Sequence, residues 1–250
     1  MSLVNLENLS VTFHTFAGDV EVVRGVSLKL EAGEVLGIVG ESGCGKSVTL
    51  QALMGLLPRD ITSVKADKLQ VADMDCTTFK ESLWRALCGS EVAMVFQDPM
   101  TALNPILSIG TQLTEAIKLR AERSSETLRD VKGEAAYLLQ KVGISDPERR
   151  LTQYPHELSG GMRQRVVIAM ALAGKPRLLL ADEPTTALDV TTEAQILLLL
   201  KELVKKEHMG LIIISHNLRV IAQMCDTMSV MYAGQVLEEG PVEKLLDRPK

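Results

Sequence analysis

Gly40-Glu41-Ser42-Gly43-Cys44-Gly45-Lys46-Ser47 fits the pattern G-x-x-x-x-G-K-[ST], the phosphate-cradling P-loop. Its flanks support that reading. The apolar run Val35-Leu36-Gly37-Ile38-Val39 reads as a buried strand entering the loop. A helical pattern over 47–57 leaves it, and Pro58 marks the stop. Glycines let successive backbone N–H groups turn inward onto an anion, and the helix N-terminus adds partial positive charge at the same place. Lys46 is placed to reach the β- and γ-phosphates of a nucleoside triphosphate, and the Ser47 hydroxyl to ligate Mg2+.

Composition bounds the class. The chain has 250 residues, which suits one large domain or a core with an inserted subdomain. Its hydrophobic content of 46% is that of a globular protein with a real core. A net charge of -5 argues against a nucleic-acid surface, which would be basic. The apolar runs at 196–200 and 211–214 are too short to cross a bilayer. No basic-then-apolar signal segment opens the chain, so a cytosolic protein is expected. Cys44, Cys76, Cys88 and Cys225 form no C-x-x-C pair, and reduced thiols are expected rather than metal or disulfide use. Cys44 is either a reactive thiol or a residue small enough for the loop; the second is the simpler reading.

Residues 3–13 alternate apolar and polar (Leu6, Leu9, Val11, Phe13) and read as a strand. Residues 20–23 and 26–30 read as two further short strands, so a small antiparallel sheet is expected beside the nucleotide core. Phe13 and Phe16 are each candidates to stack on an adenine ring or to pack in the core. Residues 79–87 read as a helix, and 91–96 as an apolar strand that runs into Gln97-Asp98-Pro99. That end of a strand is where α/β sheets bind ligands, which makes Gln97 a candidate.

The character changes over 99–155, where 109–121 and 128–142 have helical spacing and no strand pattern appears. This predicts an inserted helical subdomain, about 98–157, in a core formed by 1–97 and 158–250. Ser159-Gly160-Gly161 opens a helix over 162–173 and is either a second anion site or a serine N-cap. Leu178-Leu179-Leu180-Ala181-Asp182-Glu183 is a buried parallel strand ending on two carboxylates. Asp182 can hold Mg2+ through water, and Glu183 can take a proton from an attacking water. A long helix is expected over 191–206 and a strand over 211–215, with His216 a candidate just past its end. A short helix over 218–224, a hairpin about Ala233-Gly234 and a helical turn over 243–247, ended by Pro249, complete the chain.

These motifs in this order resemble the nucleotide-binding subunit of ABC transporters, across essentially the whole chain. The set is Gly40 to Ser47, Gln97, Leu158-Ser159-Gly160-Gly161, Asp182-Glu183, Ala187-Leu188-Asp189 and His216. The stretches at 96–105 and 182–191, and Met162, are similar to the oligopeptide, dipeptide and nickel importer branch. The resemblance implies an α/β fold: a P-loop NTPase core with a mainly parallel sheet, an N-terminal antiparallel β subdomain and an inserted helical subdomain.

The resemblance also implies roles. Lys46 would bind the β/γ-phosphates, and Ser47, Gln97 and Asp182 would serve Mg2+. Glu183 would be the general base, and His216 would touch the γ-phosphate. Phe13, at the end of the first strand, is the closer match to the adenine-stacking aromatic. The nucleotide-binding set is then Phe13, Gly40, Ser42, Gly43, Cys44, Gly45, Lys46, Ser47 and Val48, with Ser159, Gly160, Gly161 and Asp189 acting on ATP held by a second subunit. Implied partners are that second ATPase, head-to-tail, two transmembrane permease subunits and, indirectly, an extracytoplasmic substrate-binding protein, but no nucleic acid. The subunit would sit peripherally on the cytoplasmic face of the cell membrane and drive uptake of peptides, nickel or metal chelates. Asn217 stands where the branch has Asp, which touches loop packing more than chemistry. Longer members continue past the point where this sequence ends, some with cysteines for an iron–sulfur cluster; none is expected in residues 1–250. The alternatives are a soluble ABC-type ATPase of nucleic-acid repair or translation, and a non-hydrolysing scaffold. The first lacks coiled-coil insertions, zinc cysteines or a second P-loop here; the second is opposed by Glu183 and His216.

Overall fold

The computed structural model describes residues 2–78, 80–186 and 188–247; Phe79, Ala187 and Pro249, used in the readings above, lie outside them. Strands β1 (Ser2–Thr15) and β2 (Gly18–Glu31) form a long antiparallel hairpin. Leu6 faces Leu28 and Leu9 faces Val26, three steps against two, and Asn8 (φ 56°) absorbs the extra residue. That bulge turns both Leu6 and Leu9 into the core. The two strands expected over 20–23 and 26–30 are one. Gly25, at φ 68°, sits in a bulge of β2 where a break was expected, because glycine takes that conformation without steric strain.

Strand β3 (Val35–Gly40) enters the glycine loop, and α1 (Lys46–Leu53) leaves it. The helix expected to reach residue 57 stops at Leu53. Gly55 at φ 63° and the bonds Leu56 N–H to Gln51 O (3.0 Å) and Gly55 N–H to Ala52 O (3.1 Å) form a glycine C-cap ahead of Pro58. Strands β4 (Thr62–Lys65), β5 (Lys68–Val71) and β6 (Met74–Asp75) complete the antiparallel sheet, in the order β2-β1-β5-β6 with β4 beside β1. Helix α2 (Glu81–Leu87) precedes β7 (Val92–Val95).

Only helices follow among the described residues up to 157: α3 (Pro99–Ala102), α4 (Ile109–Ser124), α5 (Val131–Lys141), α6 (Pro147–Leu151) and a 3-10 turn, Pro155–Glu157. Helix α5 begins later than the spacing suggested, because the Asp130 carboxylate accepts the Gly133 N–H (2.8 Å) and caps it there. Then come α7 (Gly160–Ala173), β8 (Leu178–Asp182), α8 (Val190–Glu207), β9 (Gly210–Ile214), α9 (Leu218–Met224), β10 (Thr227–Tyr232), β11 (Gln235–Pro241) and α10 (Val242–Asp247).

The second sheet has the order β11-β10-β3-β9-β8-β7, all parallel except β11. Its central strands are buried on both faces, as parallel strands covered on two sides must be. Alternation then divides the core. Leu179, Ala181, Leu211 and Ile213 pack with α4, α5, α7, α8 and α9. Leu178, Leu180, Ile212 and Ile214 pack with α1 and the antiparallel sheet. The C-terminal ends of β3, β7, β8 and β9 share one edge, and the candidate residues gather there. No helix among the described residues is long and apolar enough to cross a membrane.

Candidate active site

The loop after β3 owes its shape to glycines at positive φ: Gly40 (155°), Gly43 (80°) and Gly45 (103°). At Gly40 a Cβ would lie 2.2 Å from the Met231 carbonyl oxygen of β10, so only glycine fits. The β10–β11 turn supports the loop from behind. Ala233 (φ 47°) and Gly234 (φ 85°) form the tight hairpin, and Gly234 N–H donates to Cys44 O (3.0 Å). Arg24 N–H donates to Gly234 O (2.8 Å), which ties β2 to the same turn.

Lys46 opens α1 and is 6% exposed; its Nζ donates to Gly40 O (2.9 Å) and Glu41 O (2.7 Å). Ser47 Oγ donates to Asp182 Oδ1 (3.0 Å), joining residues 135 positions apart. Burial holds the Asp182 carboxyl above the usual range; the Ser47 bond opposes this, neighbouring Glu183 adds to it, and Lys46 lowers it. Glu183 follows in the left-handed region (φ 46°), fixed by its N–H to Ile214 O (3.1 Å). Such strain in a non-glycine residue is characteristic of functional sites. Three groups converge on Glu183 Oε2: Gln97 Nε2 (3.1 Å), Thr186 Oγ1 (2.9 Å) and His216 Nδ1 (3.4 Å).

A cleft of about 500 Å³ brings Gly40, Ser42, Gly43, Gly45, Lys46, Ser47, Val48, Gln97, Glu183 and His216 together, with Val22 of β2 as a further wall. Val22 and Thr186 were not singled out in the sequence. A threonine three residues after a strand-end carboxylate was the available signal for Thr186; Val22 carried none. Among the described residues no three His, Cys, Asp or Glu form a metal cage. The Ser47 hydroxyl, the Asp182 carboxylate and the Gln97 amide instead offer an open, oxygen-bearing donor set. That set suits Mg2+, which retains water and takes phosphate oxygens.

Other expected residues stand elsewhere. Cys44 is buried behind the loop, 6% exposed, and does not line the cleft, which fits the small-residue reading. Phe13 is partly buried on the same cluster as Val22 and Val48 but is not a lining residue. Ser159, Gly160, Gly161 and Asp189 do not line the cleft either. Ser159 caps α7, its Oγ accepting the Met162 N–H (3.3 Å), and Asp189 caps α8, accepting the Thr192 N–H (3.0 Å) and hydroxyl (2.7 Å). Those bonds hold the Asp189 carboxyl below the usual range. The two caps are neighbours: a Cβ on Gly161 would lie 2.4 Å from Thr192 Cγ2, and one on Gly160 3.6 Å from Leu188. Asn217 caps α9 by accepting the Arg219 N–H (3.0 Å), a task Asp performs equally well.

The ABC transporter family model matches residues 23–186, about two thirds of the chain, including the phosphate loop, Gln97, the Ser159 loop and both carboxylates. The chain belongs to the ABC transporter family. It is 48% identical to the oligopeptide transport ATP-binding protein OppD of Bacillus subtilis, over 99% of this chain and 68% of that protein. It is 49% identical to the dipeptide transport ATP-binding protein DppD of Escherichia coli, over 100% of this chain and 75% of that protein. An ATP-binding cassette solved as a dimer in a post-hydrolysis state, bound to ADP and Pi, superposes with a TM-score of 0.80 at 25% identity, over 96% of this chain and 98% of the other. This ABC transporter chain shares the fold of that cassette, with both expected sheets in place.

Proposed function

We infer that the chain is the ATP-binding and ATP-hydrolysing subunit of an ABC importer, and that it powers peptide uptake. The observation that carries the reading is the convergence of Gln97, Thr186 and His216 on Glu183 at the rim of the phosphate-loop cleft. The match of nearly all of this chain to OppD and DppD, at 48% and 49% identity, supports peptides as cargo.

Lys46 and the loop N–H groups hold the β- and γ-phosphates, His216 meets the γ-phosphate, and Phe13 borders the adenine. Mg2+, held by Ser47, Gln97 and Asp182, would neutralise charge on the phosphates. A proton of the attacking water passes to Glu183; with Oε2 already occupied by three contacts, Oε1 is the acceptor. Ser159, Gly160, Gly161 and Asp189 serve ATP bound to a second ATPase subunit, a reading supported by their standing outside this chain's own cleft. Residues 98–157 act as one unit that passes the closing movement to two permease subunits at the cytoplasmic face of the membrane.

Affinity purification of the chain from detergent extracts tests this. Hydrophobic permease subunits that co-purify, with hydrolysis of ATP by the complex, are expected. A chain that hydrolyses ATP while purifying with nucleic acid or ribosomes and without membrane subunits would overturn the importer reading.

A further inference from the structure

Arg120 of α4 is 4% exposed, an unusual position for an arginine, and it does not line the cleft. Its guanidinium forks onto Glu134 in the first turn of α5, Nη1 to Oε1 at 2.6 Å and Nη2 to Oε2 at 3.3 Å. Nη2 also meets Glu126 Oε2 at 3.1 Å. Nη1 donates to Ala173 O (3.0 Å), the last residue of α7. Arg120 thus satisfies a terminal carbonyl at the negative end of α7 while Glu134 sits at the positive end of α5, so both helix dipoles are complemented by one pair. One turn further along α4, Arg123 donates to Cys88 O, just ahead of β7 and the run to Gln97. Behind Ala173 the chain is packed tightly: a Cβ on Gly174 would lie 2.4 Å from Gly89 O.

The other end of α7 is the Ser159-Gly160-Gly161 loop. We propose that Arg120 is a positioning residue for hydrolysis: by pinning the C-terminal end of α7 to α4 and α5, it sets where Ser159, Gly160 and Gly161 stand. The inference rests on the reading that this loop serves ATP held by another subunit. A helix of 14 residues is about 21 Å long, so a tilt of about 5° at Ala173 carries the loop about 2 Å. A displacement of that size is enough to lose a hydrogen bond to a phosphate.

The test uses mixed dimers of two differently tagged full-length chains, purified on both tags. Arg120→Met alone leaves Glu134 without its partner, so the pair Arg120→Met with Glu134→Leu is exchanged together, which removes both charges. In the first arrangement, a chain with the pair exchange meets a Lys46→Ala chain. The surviving Lys46 then faces an unaltered α7, and that composite site keeps its turnover. In the second, both changes sit on one chain and its partner is unaltered. The surviving Lys46 now faces the altered α7, and turnover falls about tenfold or more below the first arrangement, with KM for ATP within about twofold.

Both arrangements contain the same substitutions in the same dose, so a general loss of stability lowers them equally. Ser159→Arg in place of the pair exchange is the control. Equal turnover for the Arg120 pair, with a difference for Ser159→Arg, overturns the role of Arg120 and leaves the shared site standing. Equal turnover for both overturns the shared site and the role of Arg120 with it.

Discussion

Glu183→Gln separates holding the nucleotide from cutting it. The glutamine amide has the shape of the carboxylate. With its oxygen in the place of Oε2, it still accepts from Gln97 Nε2 and Thr186 Oγ1. The backbone at 183, with its N–H on Ile214 O, keeps its conformation. Each of those bonds changes from charge-assisted to neutral, a loss of about 1 kcal/mol apiece. Among the described residues Glu183 makes no hydrogen bond or ion pair to Lys46 or to the glycine loop, so affinity for Mg·ATP should stay within about threefold, below 1 kcal/mol. What disappears is the basic lone pair. A positioned general base contributes about 10²–10⁴ in rate, or about 3–5 kcal/mol of barrier at 1.36 kcal/mol per tenfold. Phosphate release at saturating Mg·ATP should therefore fall at least a hundredfold, while filter binding of labelled ATP and the melting temperature hold near the parent values. Turnover within tenfold of the parent would refute the base assignment. Loss of ATP binding in step with turnover would mean that Glu183 shapes the loop instead.

Lys46→Ala removes the buried ammonium of the loop, and ATP retention in the same filter assay should drop about a hundredfold or more, as expected when a desolvated charged contact is lost. Asp182→Asn should stabilise the nucleotide-free chain at neutral pH yet impair Mg2+-dependent turnover. A carboxyl raised above its ordinary 3.8 by burial stabilises the fold fully only below that value, and the contribution is lost as pH rises through the folded-state value. The melting-temperature gain of the amide variant should therefore close as pH approaches 4; a gain that is constant with pH, or absent, contradicts the burial argument. Gly40→Ala places a Cβ 2.2 Å from Met231 O at a φ of 155°, and a shift of about 3 kcal/mol or more in denaturant stability is expected. An alanine variant with parental stability would show that β10 gives way at this point.

The phosphate loop, the strand-end carboxylates and His216 were legible because each is local: a few adjacent residues state both the strand and the chemistry at its end. The hairpin at Ala233-Gly234 was legible for the same reason. What depended on tertiary contact was not. Residues 20–23 and 26–30 look like two strands until Gly25 is seen to bulge against a paired neighbour. Helix α1 stops early at the Gly55 C-cap, where the Trp84 ring, 2.3 Å from the place of a Cβ, leaves room for glycine alone. The support of Glu183 by Gln97 joins residues 86 positions apart, and no periodicity encodes it. Val22 reaches the site only through folding, whereas Thr186, three residues from Glu183, was local and could have been read. The burial of Arg120 was equally hidden, since a charged residue in a charged helix reads as solvent-facing.

Strand β3 and the phosphate loop are made early in synthesis, yet β3 pairs with β9 and β10, and the loop leans on Met231 and Gly234. A nascent chain emerging from the ribosome therefore carries Leu36 and Ile38 without either neighbouring strand until residues beyond 210 have cleared the exit tunnel. The support of the loop by Met231 and Gly234 is likewise complete only once the β10–β11 hairpin has formed. The cluster that Leu36 and Ile38 share with the β1–β2 hairpin and α1 covers one face of that strand early. What a ribosome-bound intermediate leaves open is the unpaired backbone edges of β3, a template for mispairing until β9 and β10 arrive.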